Sequence, residues 1–248
     1  MAETDLSIEV VADGATLAMA AAERIAVAAR AAILRRKRFT IALAGGQTPA
    51  ALYRLLAAEY VSRIQWRQVV VFFGDERSVP SHDPASNYAM AASTLLSHVP
   101  VSRQHVHRIA GEVPAADAAR MYEKVLHREF PRANEPAFDL ALLGLGADGH
   151  TASLFPGGSE VEEKARWAVP VESPAARPPR ERVTLTLPIL NRSREVLFLV
   201  SGGAKRDAAT RILAGGASAA ELPASRVRGV EHTLWLLDRD AAPAGLAG

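Results

Sequence analysis

The sequence predicts a single-domain, three-layer α/β fold of Rossmann-like type over residues 1–248, with a mostly parallel central sheet and helices on both faces. Three observations carry that expectation. Short β-branched runs alternate with helical stretches, the order that builds a parallel sheet. Runs such as IALA at 41–44, just before a glycine, are apolar throughout, as burial on both faces demands. These runs end in glycine-rich polar turns, where open α/β sheets hold their ligands.

The elements follow in order along the chain. Ile8–Val11 is the first expected strand. Asp13–Arg36 follows as a long helix, closing on the basic run Arg35–Arg38, where cations suit a helix C-terminus. Phe39–Ala44 is a strand that breaks at Gly45-Gly46. Thr48 and Pro49 then read as N-cap and first-turn proline of a helix. Val69–Phe73 is a strand followed by a polar loop, and Asp83-Pro84 opens a helix to about Ser97. Ala115–Phe130 is helical, and Phe138–Leu143 is a strand stopped by Gly144 and Gly146. Val183–Leu187 and Glu195–Val200 are strands, Gly203–Leu213 a helix and Thr233–Leu237 the last strand. The Pro/Arg-rich segment Glu172–Arg180 reads either as a domain linker or as a surface loop inside one domain, and the strands expected on both sides favour the loop. The tail from Ala241 is expected to fray.

Composition narrows the function. There are 29 Lys+Arg against 27 Asp+Glu, a net charge of +2, so a dedicated nucleic-acid binder is not expected. The absence of Cys excludes a disulfide framework, a thiolate zinc site and a Cys nucleophile. The first residues carry charge and no apolar core, and Glu23, Arg24 and Arg30 interrupt the alanine-rich stretch. No secretory signal, membrane span or membrane partner is expected, and the localisation expected is cytoplasmic. His105 and His107 alternate, but no nearby Asp, Glu or His completes a metal set, so no metal is assigned.

Chemistry is sought behind each strand. Gly45-Gly46-Gln47-Thr48 is either a tight turn with a cap or a phosphate cradle. In the cradle, glycine lets the backbone approach and the helix N-terminus offers N–H groups. Asp75-Glu76-Arg77 is either a solvated loop or a holder of sugar hydroxyls and an anion. Asp83, Ser86 and Asn87 read as helix-start residues. The sharpest signal is Gly146-Ala147-Asp148-Gly149-His150. An imidazole takes and returns protons near neutrality, and Asp148 two residues earlier can orient it. The alternative is an Asp-Gly turn with an incidental surface His. Thr151–Ser153 is expected to start a helix whose N–H groups could hold an oxyanion. Ser153 lacks the surroundings of a nucleophile elbow. Ser201-Gly202-Gly203-Ala204-Lys205 repeats the glycine-turn-helix pattern, with a Lys that opposes the helix dipole unless an anion or solvent meets it. Arg182 is a second such cation.

The stretches LAGGQTPAALYRLL, FFGDERSVPSHDPASNY, LLGLGADGHTASLFPG, ERVTLTLPILN and LVSGGAKRDA are collinear over residues 43–208. Together they resemble the 6-phosphogluconolactonase family, in the larger group that includes glucosamine-6-phosphate deaminases. The resemblance implies a cytosolic hydrolase that opens 6-phospho-D-glucono-1,5-lactone without a metal or organic cofactor. It implies proton transfer by His150 beside Asp148. It places Gly45, Gly46, Thr48, Asp75, Arg77, Arg182, Gly203 and Lys205 around a small phosphorylated sugar lactone, in a monomer or weak homo-oligomer. Two departures from the deaminase pattern favour the lactonase. Phe155 stands where a deaminase carries Glu, and Arg77 stands where its acidic loop carries Tyr. A deaminase-like isomerase using Asp75, and a sugar-phosphate sensor without turnover, are the competing readings.

Overall fold

The computed structural model describes residues 5–132, 135–176, 178–215 and 221–246. Its strands are Asp5–Val11 (β1), Phe39–Leu43 (β2), Val69–Phe73 (β3), Asp75–Arg77 (β4), Leu140–Gly144 (β5), Ala168–Glu172 (β6), Glu181–Leu185 (β7), Glu195–Val200 (β8) and His232–Asp238 (β9). Its α-helices are Gly14–Arg36 (α1), Gln47–Glu59 (α2), Asn87–Ala91 (α3), Ala115–Glu129 (α4), Leu187–Leu190 (α5) and Arg206–Ala214 (α6).

Six strands form one sheet in the order β1-β9-β8-β5-β2-β3, and all neighbours run parallel. β2 and β3 are buried at every residue; β3 is apolar throughout, and the one polar residue of β2, Thr40, donates its hydroxyl to Asp139 Oδ2 at 3.0 Å. α1 and α2 pack on each other and against this sheet. From β2 the chain steps outward to β3, then returns across β2 to β5 and continues outward through β8 and β9. The crevice between the carboxyl ends of β2 and β5 is therefore the topological switch point, the expected place for a ligand.

A second sheet was not foreseen. β4, β7 and β6 form an antiparallel three-stranded sheet. Of the VTLTL run, Val183–Leu185 thus belongs to β7 in this small sheet and not to the parallel one, and Thr186 and Leu187 are the N-cap and first residue of α5. β4 is three charged residues long, with no apolar alternation to betray it. β6 contains Pro170, which an edge strand tolerates. α4 packs across β6 and β7.

Several helix starts also shift. α1 matches its expected span, with Asp13 as cap accepting the Thr16 N–H at 2.8 Å. The cap of α2 is Gly46, at φ 103°, and Thr48 lies inside the first turn. Asp83 makes a turn by accepting the Ala85 N–H, and the helix begins four residues later with Ser86 as cap. Ala92–Leu96 then continues as a π-helical turn. The tail does not fray at its start, because Ala241 and Ala242 are fully buried and bonded to Asp238.

Candidate active site

The ends of β2, β3 and β5 meet β4 and β7 around a cavity of about 180 Å³. Its wall includes Gly45, Gly46, Asp75, Arg77, Asn87, His150 and Arg182, drawn from five separate stretches of chain.

The His150 loop follows β5 and is held at both ends. The Gly146 N–H donates to the His150 carbonyl at 2.7 Å, and the Thr151 hydroxyl donates to the Gly144 carbonyl at 2.8 Å. Gly149 takes φ 86°, a conformation costly for a side chain. Asp148 and His150 then meet through Oδ1 and Nδ1 at 2.5 Å, with the His150 N–H 3.2 Å from the same oxygen. Partial burial pushes the Asp148 carboxyl up, but the His150 bonds outweigh it and hold it below the ordinary carboxylate value. Asp148 is thus ionised beside the ring. Phe155 packs on the imidazole with ring centroids 4.8 Å apart. Thr151–Ser153 makes no helix. Ala152 sits at φ 48°, and the turn sends Ser153 back to bond Thr184 in β7 and Asp75 in β4. The oxyanion donors expected from a helix start here are absent from this segment.

Another part of the wall is cationic. Arg77 and Arg182 are direct partners across the antiparallel β4–β7 pair. Like charges placed so destabilise a sheet unless something anionic intervenes. Burial pulls the Arg182 guanidinium below its ordinary value, Asp75 opposes this, and Arg77 adds to it by repulsion. Asp75 Oδ2 lies 3.9 Å from Arg182 Nη1. Asp75 also accepts from Asn87 at 2.9 Å and from Ser153 at 2.7 Å. The buried carboxylates beside them are Asp75 and Glu76, and Glu76 is already bonded to the Arg77, Asn87 and Tyr88 N–H groups and the Ser86 hydroxyl, so an oxyanion in the cavity meets two guanidinium groups.

A model of the family described as glucosamine-6-phosphate isomerases/6-phosphogluconolactonase matches residues 12–235. The chain belongs to this family. A 6-phosphogluconolactonase from Mycobacterium tuberculosis is 43% identical over 244 residues, covering 95% of this chain and 97% of that one. Another, from Synechocystis sp., is 40% identical over 214 residues, 85% of this chain and 86% of that one. The solved 6-phosphogluconolactonase from Thermotoga maritima superposes with TM-score 0.81 at 31% identity, covering 95% of this chain and 100% of that one. A monomeric glucosamine-6-phosphate deaminase shares the fold at TM-score 0.78 and 23% identity.

Of the residues singled out from the sequence, Gly45, Gly46, Asp75, Arg77, Arg182 and His150 line the cavity, and Asp148 is bonded to His150 from just outside it. Thr48, Gly203 and Lys205 are not in its wall. Gly203–Lys205 forms a 3₁₀ turn before α6, and Lys205 is the N-cap residue of that helix. The sequence reading missed Asn87 and Ser153. Ser86 does cap a helix, but the next residue turns its amide between Asp75 and Arg77. The polar crowding in DPASN was the available signal. Ser153 is a hydrogen-bond donor and fully buried. Among the described residues no cluster of three or more His, Asp or Glu could hold a metal ion, and none of the helices is long and apolar enough to cross a membrane.

Proposed function

We propose that this chain hydrolyses 6-phospho-D-glucono-1,5-lactone to 6-phospho-D-gluconate, with His150 as general base. The observation that carries the proposal is one cavity with an Asp148-bound imidazole on one wall and two facing arginines on another. Relatives named 6-phosphogluconolactonase, similar over nearly their whole length, support the same substrate.

The geometry gives each group a task. Asp148 accepts from Nδ1–H, which leaves Nε2 as the basic nitrogen. Water attacks the lactone C1 as Nε2 takes its proton. The negative charge gathers on the carbonyl oxygen. As the tetrahedral carbon collapses, the C1–ring oxygen bond breaks and the imidazolium returns the proton to that oxygen. Ionised Asp148 stabilises the imidazolium between the two transfers. A lactone is an activated ester, so these steps call for no covalent nucleophile and no cofactor. Arg77 and Arg182 hold the distant phosphate and so orient the ring. A small metabolite of this kind fits a cytoplasmic enzyme that needs no macromolecular partner.

The test is a coupled assay on freshly made lactone, corrected for spontaneous opening. His150→Ala should lose about 10²–10⁴-fold in kcat while remaining folded. A folded variant with a near-normal rate above background would falsify the general-base role. A deaminase reading needs a mobile carboxylate near the sugar. Asp75 is tied to Asn87 and Ser153, and the ring packed on one side of the imidazole is that of Phe155 and not a carboxylate. No ammonia should therefore be released from glucosamine 6-phosphate.

A further inference from the structure

We propose that Asn87 is a positioning residue, whose amide keeps Arg77 from pairing with Asp75 and so holds the guanidinium Nη2 ready for the substrate phosphate. The inference rests on the proposed phosphorylated substrate and deepens it.

Asp75 and Arg77 are two residues apart in β4, so their side chains leave the same face of the strand. A carboxylate and a guanidinium so placed would pair directly and quench each other. Asn87 stands between them. Its Nδ2 donates to Asp75 Oδ1 at 2.9 Å and to the Asp75 carbonyl at 2.9 Å. Its Oδ1 accepts from Arg77 Nη1 at 2.7 Å. An amide is the neutral group that can satisfy an anion with one end and a cation with the other. Aspartate could serve only the arginine.

The amide is itself fixed. The Asn87 N–H donates to Glu76 Oε1 at 2.7 Å, and Glu76 also accepts from the Arg77 and Tyr88 N–H groups and the Ser86 hydroxyl. On the other side Gly45 leaves room for it. A Cβ at residue 45 would lie 1.9 Å from Asn87 Oδ1. Asn87 is 2% exposed yet reaches the cavity wall.

The consequence for Arg77 follows from counting its donors. Nη1 gives one N–H to Asn87 and the other to the Ala85 carbonyl at 2.7 Å. Nε is buried and has no partner among the described residues. Nη2 has no partner among the described residues and, unlike Nε, is not sealed from solvent, so it is the nitrogen kept for an oxyanion through a charge-assisted bond.

The test compares Asn87→Asp and Asn87→Ser with the wild type, using 6-phosphogluconate and inorganic phosphate as calorimetric probes beside the lactonase assay. Loss of one charge-assisted contact should weaken binding of both probes by about tenfold or more. KM for the lactone should rise in parallel while kcat changes by less than about threefold. Gly45→Ala, which displaces the amide, should show the same pattern. A role confined to packing would lower Tm and leave probe affinity intact. Unchanged affinity in either folded Asn87 variant, or a fall in kcat at constant KM, overturns the proposal. If neither Asn87 variant folds, Gly45→Ala decides alone. Failure of the lactonase reading shows differently: the wild type would bind phosphate in an Asn87-dependent way and yet not open the lactone.

Discussion

Gly146 has no side chain because its neighbours occupy the space. A Cβ there would lie 2.0 Å from His150 Nδ1 and 2.4 Å from Asp148 Oδ1. Its backbone is in no strained region, unlike Gly149 at φ 86°. Gly146→Ala should therefore fold normally and misplace the imidazole. Displacements near 1 Å cost about 10²-fold in rate. The measurement is kcat against Tm: a large drop in kcat with Tm within a few degrees of wild type is expected, and an unchanged kcat would show that the pair tolerates displacement. The His150 side of the site was legible in the sequence because its chemistry is local. Asp148 and His150 are two residues apart, and a glycine turn at a strand end needs no tertiary information. Asn87 was not legible, because its partners Asp75 and Arg77 come from another segment and its neighbour Ser86 offers a sufficient local explanation as a cap.

At the level of elements, the strands rich in Val, Ile, Leu and Phe were readable and the charged one was not. β3 (VVVFF) announces burial on both faces, whereas Asp-Glu-Arg becomes β4 only because β7 is there to pair with it. That pairing is what sets Arg77 opposite Arg182. Tertiary contact likewise overrode local preference at α2, where Gly46 and not Thr48 takes the cap. Short turns can nonetheless be stabilised by one side chain. Glu163 accepts from the Ala165, Arg166 and Lys164 N–H groups and from Arg166 Nε. The Ala165 and Arg166 N–H bonds lead in pulling its carboxyl from 4.5 down to about 2. The sign is that of a depressed acid: ionised Glu163 stabilises the fold above its unfolded value, and the contribution is lost as pH falls through about 2. In urea titrations, Glu163→Gln should be less stable than wild type at pH 7. The gap should narrow progressively below pH 4.5 and nearly close at the acid end. A gap independent of pH would mean that the side chain acts through its amide-compatible shape and not its charge.

Across the whole molecule the two sheets behave as one body. Val183 and Leu185 of β7 and Ala168 of β6 belong to the same continuous core as the parallel strands. Phe198 and Trp235 stack at 3.9 Å in the middle of that core, both fully buried. The cavity is likewise shared, with His150 hung from the parallel sheet and the arginines from the small one. This explains why composition and strand pattern revealed the fold class, while the way the site closes required the second sheet. It also makes a thermodynamic prediction. A ligand that bridges both walls should stabilise both sheets together, by about 2.7 kcal/mol at a hundredfold excess over Kd. Calorimetry should show one unfolding transition that moves upward as a unit with 6-phosphogluconate. Trp235→Ala, costing about 3–5 kcal/mol from the parallel-sheet core, should lower that same single transition. Two resolved transitions, of which only one responds to the ligand or to the Trp235 change, would mean that the walls of the cavity unfold independently and that no single molecule is gripped between them.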